Sequence, residues 1–233
     1  MPAPVQAVSF DLWQTLMHDT KEQAQKRAGV RAAGMQAALA RAGFGASLQQ
    51  VEDACHAIWQ EWETRYWDKL VDPGFDAQIA WLCQRLGVPA GAQPFVGDLR
   101  AAYVEPVFAL PPSVDPAAVP VLSQLHARGL ELGLICNTSV TPGFALRRLL
   151  AGWGLDRLLS VQLFSDEVRI RKPAPAIYRE AARQLGVDIA AMVHVGDRPD
   201  VDVEGAILAG ARGLQVGPAM PLSELALQLR QIE

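Results

Sequence analysis

The sequence has few cysteines and no long apolar run. Its three cysteines, Cys55, Cys83 and Cys136, lie far apart, in a spacing that fits neither a zinc site nor a disulfide framework. We therefore expect reduced, buried thiols and a cytoplasmic location. Because no apolar run reaches the roughly 18 residues of a membrane helix, and because no signal-peptide pattern is visible at the start of the chain, we expect no contact with a membrane.

An excess of basic residues is also missing. The 233 residues include 21 Lys and Arg against 25 Asp and Glu, a formal net charge of −4, whereas proteins that bind nucleic acid usually carry a basic surplus. We therefore expect no nucleic-acid partner. A small anionic molecule is compatible with this charge, because it needs only a local positive site. Hydrophobic residues make up 50% of the chain, enough for a large core, and the sequence is compatible with a monomer or a homodimer.

Five short apolar runs predict the buried strands of a parallel sheet. They cover residues 5–10, 130–136, 159–164, 191–195 and 213–216. Helical segments separate the later runs. This alternation predicts an α/β fold with a mostly parallel sheet that is flanked by helices.

The gap between the first and second predicted strands is much longer than one connection requires. A single helix over residues 115–129 is enough for the crossover. The rest of the gap holds about four amphipathic helical segments, which must pack into a bundle of their own. Prolines at 110–116 are typical of a boundary. We predict a core domain of residues 1–17 and 111–233 and an all-helical cap domain of residues 18–110.

Polar residues follow four of the predicted strands. In chain order they are Asp11, then Asn137 and Thr138, then Lys172, and finally Asp197, Asp200 and Asp202. In an open parallel sheet, ligands bind beyond the carboxyl ends of the strands. Carboxylates suit Mg²⁺, while a lysine and a polar turn suit a phosphate. The sequence therefore predicts a site for a metal ion and an anion at this edge of the sheet.

The same residues belong to four short motifs. These are "DLWQT" at 11–15, "CN" at 136–137, "RKPAPAIY" at 171–178 and "GDRPDVD" at 196–202. In this order, and with a helical insertion after the first motif, the whole chain resembles the haloacid dehalogenase (HAD) superfamily of hydrolases. The resemblance implies a Rossmann-like core and a helical cap. Each motif is weak alone, but four in order are specific.

The resemblance implies a role in phosphoryl transfer for several of these residues. Asp11 would be the nucleophile that forms a covalent aspartyl intermediate. Lys172 would neutralise charge on Asp11 and on the transferred group. Asn137 and Thr138 would donate hydrogen bonds to the phosphoryl oxygens, and Thr15 would brace the first motif and contribute to phosphate binding.

The resemblance also implies Mg²⁺ as the cofactor and a small phosphorylated molecule as the substrate. The metal would be bound by Asp11, by the backbone carbonyl of Trp13 and by Asp197. Asp202 would support the metal ion or its water molecules.

Two positions depart from the pattern of the family's phosphatases. Trp13 lies where those members have an aspartate that protonates the leaving group, and an indole cannot serve as that acid. Cys136 lies where a serine or threonine usually binds the phosphoryl group. His18 and Asp19, at the first hinge of the cap, are candidates for a replacement acid. Acyl or aryl phosphates have good leaving groups and need little protonation.

Three hypotheses about function follow. The first is a Mg²⁺-dependent phosphohydrolase acting on a small phosphorylated metabolite. The second is a 2-haloacid dehalogenase that uses Asp11 without metal, since those members have an aromatic residue at the position of Trp13. Asp197 and Asp202 argue against it, because they would repel a carboxylate substrate. The third is a catalytically weak relative that binds a phosphorylated ligand or a partner protein.

Overall fold

A parallel β-sheet forms the centre of the computed structural model, which describes residues 4–89 and 95–232. In chain order the strands are β1 (Ala7–Phe10), β2 (Met17–His18), β3 (Ser113–Val114), β4 (Glu131–Cys136), β5 (Val161–Phe164), β6 (Met192–Gly196) and β7 (Arg212–Gln215). Five of them form the parallel sheet, in the order β5-β4-β1-β6-β7. The five strands predicted from apolar runs are confirmed, with small shifts at their ends.

The strands are apolar on both faces because helices cover both faces of the sheet. In the central strand β1, Ala7 packs in one hydrophobic cluster, while Val8 and Phe10 pack in the other. All three side chains are fully buried. The exception in β1 is Ser9, whose hydroxyl oxygen lies 2.9 Å from Nδ1 of His194. A buried polar pair therefore lies inside the sheet, close to its carboxyl edge.

Helices surround the sheet and fill the gap after β2. They are α1 (Lys21–Arg41), α2 (Leu48–Arg65), α3 (Phe75–Arg85), α4 (Phe95–Val104), α5 (Pro106–Ala109), α6 (Ala118–Ala127), α7 (Gly143–Gly152), α8 (Ser165–Val168), α9 (Pro175–Leu185), α10 (Glu204–Ala209) and α11 (Leu225–Ile232). Side chains of α6, α7 and α11 share a cluster with Val8 and Phe10, and those of α9 and α10 share one with Ala7. The predicted α/β fold is confirmed. Within residues 4–89 and 95–232, no helix combines the length and apolar character that a membrane span requires.

The chain between β2 and β3 forms a helical insertion, residues 21–109, which contains α1 to α5. Two of its helices begin with a capping box, in which the side chains of Thr20 and Gln23, and of Ser47 and Gln50, each bond the other's backbone N–H. The longer helices α1 to α4 pack against one another. They correspond to the predicted helical segments, the last of which is divided into α4 and the short helix α5. The division into core and cap domains at residues 18 and 110 stays a prediction.

A two-stranded antiparallel sheet joins the two ends of the insertion. In it Met17 pairs with Val114 and His18 pairs with Ser113. The backbone N–H of Asp115 donates to the carbonyl of Leu16, at 2.9 Å, and extends this contact. The chain thus enters the insertion through β2 and leaves it through β3, which lie side by side.

The insertion also contacts the segment that leads into Lys172. The backbone N–H of Asp72 donates to the carbonyl of Arg169 at 3.3 Å, and the backbone N–H of Arg171 donates to the carbonyl of Leu70 at 3.0 Å. These bonds form a short antiparallel bridge between residues 70–72 and 169–171. The loop after α2 therefore holds the backbone directly before the lysine of the third motif.

Candidate active site

Lys172 lies between two carboxylates in a buried site. Its Nζ donates to Oδ1 of Asp11 at 2.6 Å and to Oδ1 of Asp202 at 2.7 Å. The side chains of Lys172, Asp11 and Asp202 are only 1%, 11% and 2% exposed. Burial alone would lower the pKa of Lys172, but the two carboxylates outweigh it and raise this pKa above its ordinary value. Lys172 is therefore charged, and it joins the first motif to the fourth.

Asp11 stands where β1 ends. Its backbone N–H donates to the carbonyl of Val195 at 2.8 Å and continues the pairing with β6. Burial, together with repulsion from Asp202 and Asp197, raises the pKa of Asp11 to about 6, although Lys172 opposes the rise. Burial of the charged form of Asp11 is therefore unfavourable, and the positive charge of Lys172 offsets only part of that cost.

Asn137 follows β4 and holds the backbone of Lys172. Its Oδ1 accepts from the N–H of Lys172 at 2.8 Å, and its Nδ2 donates to the carbonyl of Lys172 at 2.9 Å. A side-chain amide nitrogen carries two hydrogens, so one remains for an acceptor. That Asn137 donates to a phosphoryl oxygen stays a prediction. Cys136, the preceding residue, is fully buried, and burial raises the pKa of its thiol well above the ordinary value.

The two threonines with predicted roles are both buried. The hydroxyl of Thr138 lies 3.0 Å from Oγ of Ser165 and accepts from the backbone N–H of Asp166 at 3.1 Å. The structure therefore engages Thr138 with the segment after β5. The hydroxyl of Thr15 has no hydrogen-bond partner within the described residues. Their contribution to phosphate binding stays a prediction for both.

Three carboxylates converge at the carboxyl edge of the sheet. One oxygen each of Asp11, Asp197 and Asp202 lies within 4.8 Å of the others. Burial, and repulsion from Asp202, raise the pKa of the half-buried Asp197. Hard carboxylate oxygens at this spacing are a suitable donor set for Mg²⁺, because a dication relieves the repulsion between them. The predicted convergence of the first and fourth motifs is thus present in the structure.

The backbone of the fourth motif fixes Asp202. The N–H of Arg198 donates to Oδ2 of Asp202 at 3.0 Å. A Cβ at Gly196 would lie 2.3 Å from Cγ of Asp202, so only glycine leaves room for this carboxylate. Although burial opposes it, the positive charge of Lys172 and hydrogen bonds from Lys172 and His194 hold the pKa of Asp202 below its ordinary value.

Sequence reasoning gave no role to His194, which lies inside β6. Its Nε2 is 3.4 Å from Oδ1 of Asp202, and its Nδ1 is 2.9 Å from Oγ of Ser9. Burial lowers the pKa of His194 to about 4, against the opposing effect of Asp202. A buried chain of hydrogen bonds therefore leads from β1 through a neutral imidazole to Asp202. The only signal in the sequence is a histidine within an apolar run.

Sequence reasoning also missed Asp72, a fully buried acid of the insertion. Its Oδ2 accepts from Oγ of Ser165 at 2.7 Å and from Nη1 of Arg171 at 3.1 Å. Its Oδ1 accepts from the N–H of Gly74 at 2.9 Å. The guanidinium of Arg171 also lies 4.5 Å from the ring centroid of Trp67. A buried ion pair thus links the insertion to the residue directly before Lys172.

Trp13 and Asp19, one of the two candidate replacement acids, lie at one cavity. The half-buried Trp13 and Asp19 both line a cavity of 360 Å³. Asp19 accepts from Nη1 and Nη2 of Arg27 at 2.7 and 3.1 Å. Nε2 of His18 lies 2.7 Å from Oδ2 of Asp115. Asp19 is therefore held in an ion pair and His18 in a contact with Asp115, both at the start of the insertion.

Comparison with known proteins agrees with this geometry. A family model of haloacid dehalogenase-like hydrolases matches residues 5–210. The chain belongs to this family. It is 31% identical over 214 residues to a glyceraldehyde 3-phosphate phosphatase of Methanopyrus kandleri, which covers 88% of this chain and 81% of that relative. It is 33% identical over 171 residues to a phosphoserine phosphatase of Thermus thermophilus, which covers 70% of this chain and 64% of that relative.

Solved structures show the same fold as this HAD-like hydrolase. A HAD phosphatase from Thermococcus onnurineus has a TM-score of 0.63 and 20% identity, and the match covers 97% of this chain and 98% of the other. A 2-haloacid dehalogenase from Pseudomonas syringae pv. Tomato DC3000 has a TM-score of 0.69 and 23% identity, with 98% and 100% covered. At these identities the likeness shows the fold alone, and it does not separate a phosphatase from a dehalogenase.

Proposed function

We propose that this HAD-like hydrolase is a Mg²⁺-dependent phosphohydrolase that acts on a small phosphorylated metabolite through an aspartyl-phosphate at Asp11. The observation that carries the proposal is the buried contact of 2.6 Å between Nζ of Lys172 and Oδ1 of Asp11, with two further carboxylates beside it. The relatives described as phosphatases support it. We also propose that it works in the cytoplasm, as a monomer or a homodimer.

The chemistry uses the two oxygens of Asp11 differently. Oδ1 is bound by Lys172, which leaves Oδ2 to attack the phosphorus. The bond between phosphorus and the leaving oxygen breaks, and the leaving group departs as its oxyanion, which takes a proton from water if it is basic enough. Water next attacks the aspartyl-phosphate, which releases inorganic phosphate and restores the Asp11 carboxylate. Lys172 stabilises the negative charge in both steps, and Asn137 holds the backbone of Lys172 in place.

Asp11, Asp197 and the backbone carbonyl of Trp13 would hold Mg²⁺, with Asp202 supporting the ion or its waters. The close approach of the three carboxylate oxygens supports this assignment. When bound, Mg²⁺ supplies positive charge for the transferred phosphoryl group. The residues of this chain supply the nucleophile, the ammonium group and the hydrogen bonds that orient them.

Trp13 narrows the class of substrate. Because the indole cannot protonate a leaving group, we infer that substrates with good leaving groups, such as acyl or aryl phosphates, react fastest. Phosphoserine, phosphoglycolate and glyceraldehyde 3-phosphate, which appear in the names of relatives, are further candidates to test. We propose that the predicted cap domain, residues 18–110, selects among them.

A second candidate is the 2-haloacid dehalogenase, which the aromatic residue Trp13 favours. In that reaction Asp11 would displace halide from carbon, and water would hydrolyse the resulting ester. The carboxylates of Asp197 and Asp202 speak against it. The third hypothesis, a catalytically weak binding protein, requires that neither reaction occurs.

One set of assays separates the three. We expect turnover of p-nitrophenyl phosphate or acetyl phosphate with Mg²⁺, loss of that turnover with EDTA, and loss in Asp11→Asn. Asp53→Asn, an exposed change on α2, is the matched control and retains activity. Chloride release from 2-chloropropionate in the presence of EDTA would support the dehalogenase instead. If no ester in a broad panel of phosphate esters is hydrolysed, and no chloride is released from 2-chloropropionate, both enzymatic proposals are contradicted.

A further inference from the structure

Arg31, on α1, is a buried arginine for which the described part of the chain offers no acidic partner. It is only 5% exposed. Its Nε donates to the carbonyl of Tyr103 at 2.8 Å, and its guanidinium lies 5.0 Å from the centroid of the Tyr103 ring. Within the described residues, no carboxylate lies within 4 Å of its nitrogens, whereas Arg27, one turn earlier and equally buried, binds Asp19 with two hydrogen bonds.

Burial of a guanidinium without an anion is unfavourable, because the carbonyl and the ring of Tyr103 replace only part of the hydration that is lost. Accordingly, burial lowers the pKa of Arg31, and the positive charge of Arg27 adds to that effect. An arginine nevertheless stays charged at neutral pH. The site around Arg31 therefore has an uncompensated positive charge that an external anion would neutralise.

Arg31 lines two adjoining cavities of 480 and 360 Å³. Both cavities are lined by Ala24, Trp59 and Val140 as well. The smaller one extends to Trp13, which is two residues from Asp11 and belongs to the same loop. Each of the two cavities has a volume that is typical of a site for a small molecule. The smaller cavity is thus lined both by Trp13, in the loop of the nucleophile, and by Arg31.

We propose that Arg31 binds a carboxylate of the substrate while the phosphoryl group of the same molecule lies at Asp11. This inference rests on the proposed phosphohydrolase function and adds a substrate class, a phosphomonoester that also bears a carboxylate. A single guanidinium matches a monovalent carboxylate in charge and in its two-pronged geometry. Ala24 and Trp59 provide apolar wall for the short carbon chain between the two anionic groups.

The acids that line these cavities do not serve as the missing partner. Asp19 is already bound by Arg27. Glu52 is exposed, and it forms no ion pair with Arg31. A ligand carboxylate therefore meets no internal competitor for the guanidinium.

The test compares two substrates that differ at one end. 3-Phosphoglycerate has a carboxylate where glycerol 3-phosphate has a hydroxymethyl group, and p-nitrophenyl phosphate reports phosphoryl transfer alone. We expect wild-type kcat/KM to be at least about tenfold higher for 3-phosphoglycerate than for glycerol 3-phosphate. Arg31→Gln should lower kcat/KM for 3-phosphoglycerate about 30-fold, mainly through KM, and change the other two by less than about threefold.

Two further variants separate recognition from structure. Arg31→Lys keeps the charge and should retain part of the preference. Arg100→Gln is the matched control, because Arg100 also stacks on an aromatic ring of the insertion, that of Phe75, but is paired with Asp76 and lines a different cavity. It should behave like wild type. An equal loss on all three substrates in Arg31→Gln, or no loss on 3-phosphoglycerate, would overturn the proposal.

A binding measurement keeps this inference separate from the proposed function. In Asp11→Asn, calorimetry should give a lower Kd for 3-phosphoglycerate than for glycerol 3-phosphate, and adding Arg31→Gln should remove the difference. If wild type hydrolyses no phosphate ester but this difference holds, the phosphohydrolase fails and the carboxylate site stands. If the two compounds bind equally, the carboxylate site fails whatever the activity.

Discussion

The buried ion pair between Asp72 and Arg171 permits a quantitative prediction for Asp72→Asn. Asparagine keeps the shape of the side chain, and its oxygen can still accept from the N–H of Gly74. The amide nitrogen then replaces Oδ2, which accepts from Ser165 and Arg171 at 2.7 and 3.1 Å. Nη1 of Arg171, which can only donate, would therefore face a second donor and lose its counter-charge.

Breaking a buried ion pair by removing one partner costs about 3–5 kcal/mol. The side chain of Arg171 is 12% exposed, and Nη1 keeps its bond to the carbonyl of Thr138. The cost should therefore lie at the lower end. We expect Asp72→Asn to lower the free energy of unfolding by about 3 kcal/mol, measured by urea titration with far-UV circular dichroism.

Asp76→Asn is the matched control. Asp76 also belongs to the insertion and also pairs with an arginine, Arg100, but its side chain is 77% exposed. Exposed pairs contribute less than about 1 kcal/mol. A double-mutant cycle of Asp72→Asn with Arg171→Met should show a coupling of about 2 kcal/mol or more. A loss below about 1 kcal/mol in Asp72→Asn would refute the reasoning, because the pair would then behave as if it lay at the surface.

Three other predictions follow from the site. His194 is neutral in the folded state, with a pKa of about 4, and titrates near 6.5 when unfolded, so stability falls as pH drops between these values. In urea titrations, the loss between pH 7 and 4.5 should be about 2 kcal/mol smaller in His194→Gln, and equal losses would contradict this. Gly196→Ala should displace Asp202, abolish turnover and lower the free energy of unfolding by about 1–3 kcal/mol, while Gly217→Ala, with open space around it, should have none of these effects. Trp13→Asp should raise the rate on glycerol 3-phosphate relative to p-nitrophenyl phosphate at least about tenfold; an unchanged ratio would count against a missing acid.

The sheet and the convergence of the motif residues could be predicted from the sequence. β1 reads as a continuous apolar run because it lies between β4 and β6, with helices on both faces. Asp11 and Lys172 meet because residues that follow parallel strands share one edge of the sheet. These features depend on local pattern and on a general rule of topology, so no knowledge of side-chain contacts is needed.

The orientation of individual side chains could not be predicted in the same way. Spacing places Asn137 at the site, but it does not show that the amide bonds the backbone of Lys172. The ion pair of Asp72 could not be predicted, because it forms only when a loop of the insertion contacts a segment almost a hundred residues away. Arg31 resembles any charged residue of an amphipathic helix, and only tertiary packing reveals that it is buried without an acid.

The pairing of β2 with β3 has a consequence for how this chain can be rebuilt. Met17 and Val114 face each other as an antiparallel pair, so their Cα atoms are about 5 Å apart. A turn of a few residues could close that distance at little entropic cost. The five strands of the parallel sheet all lie outside the insertion in the chain, so the insertion contributes no strand to that sheet. Exchange of residues 19–112 for another helical segment would leave the hydrogen-bonded order of the sheet intact, whereas a cut within any of its five strands would not.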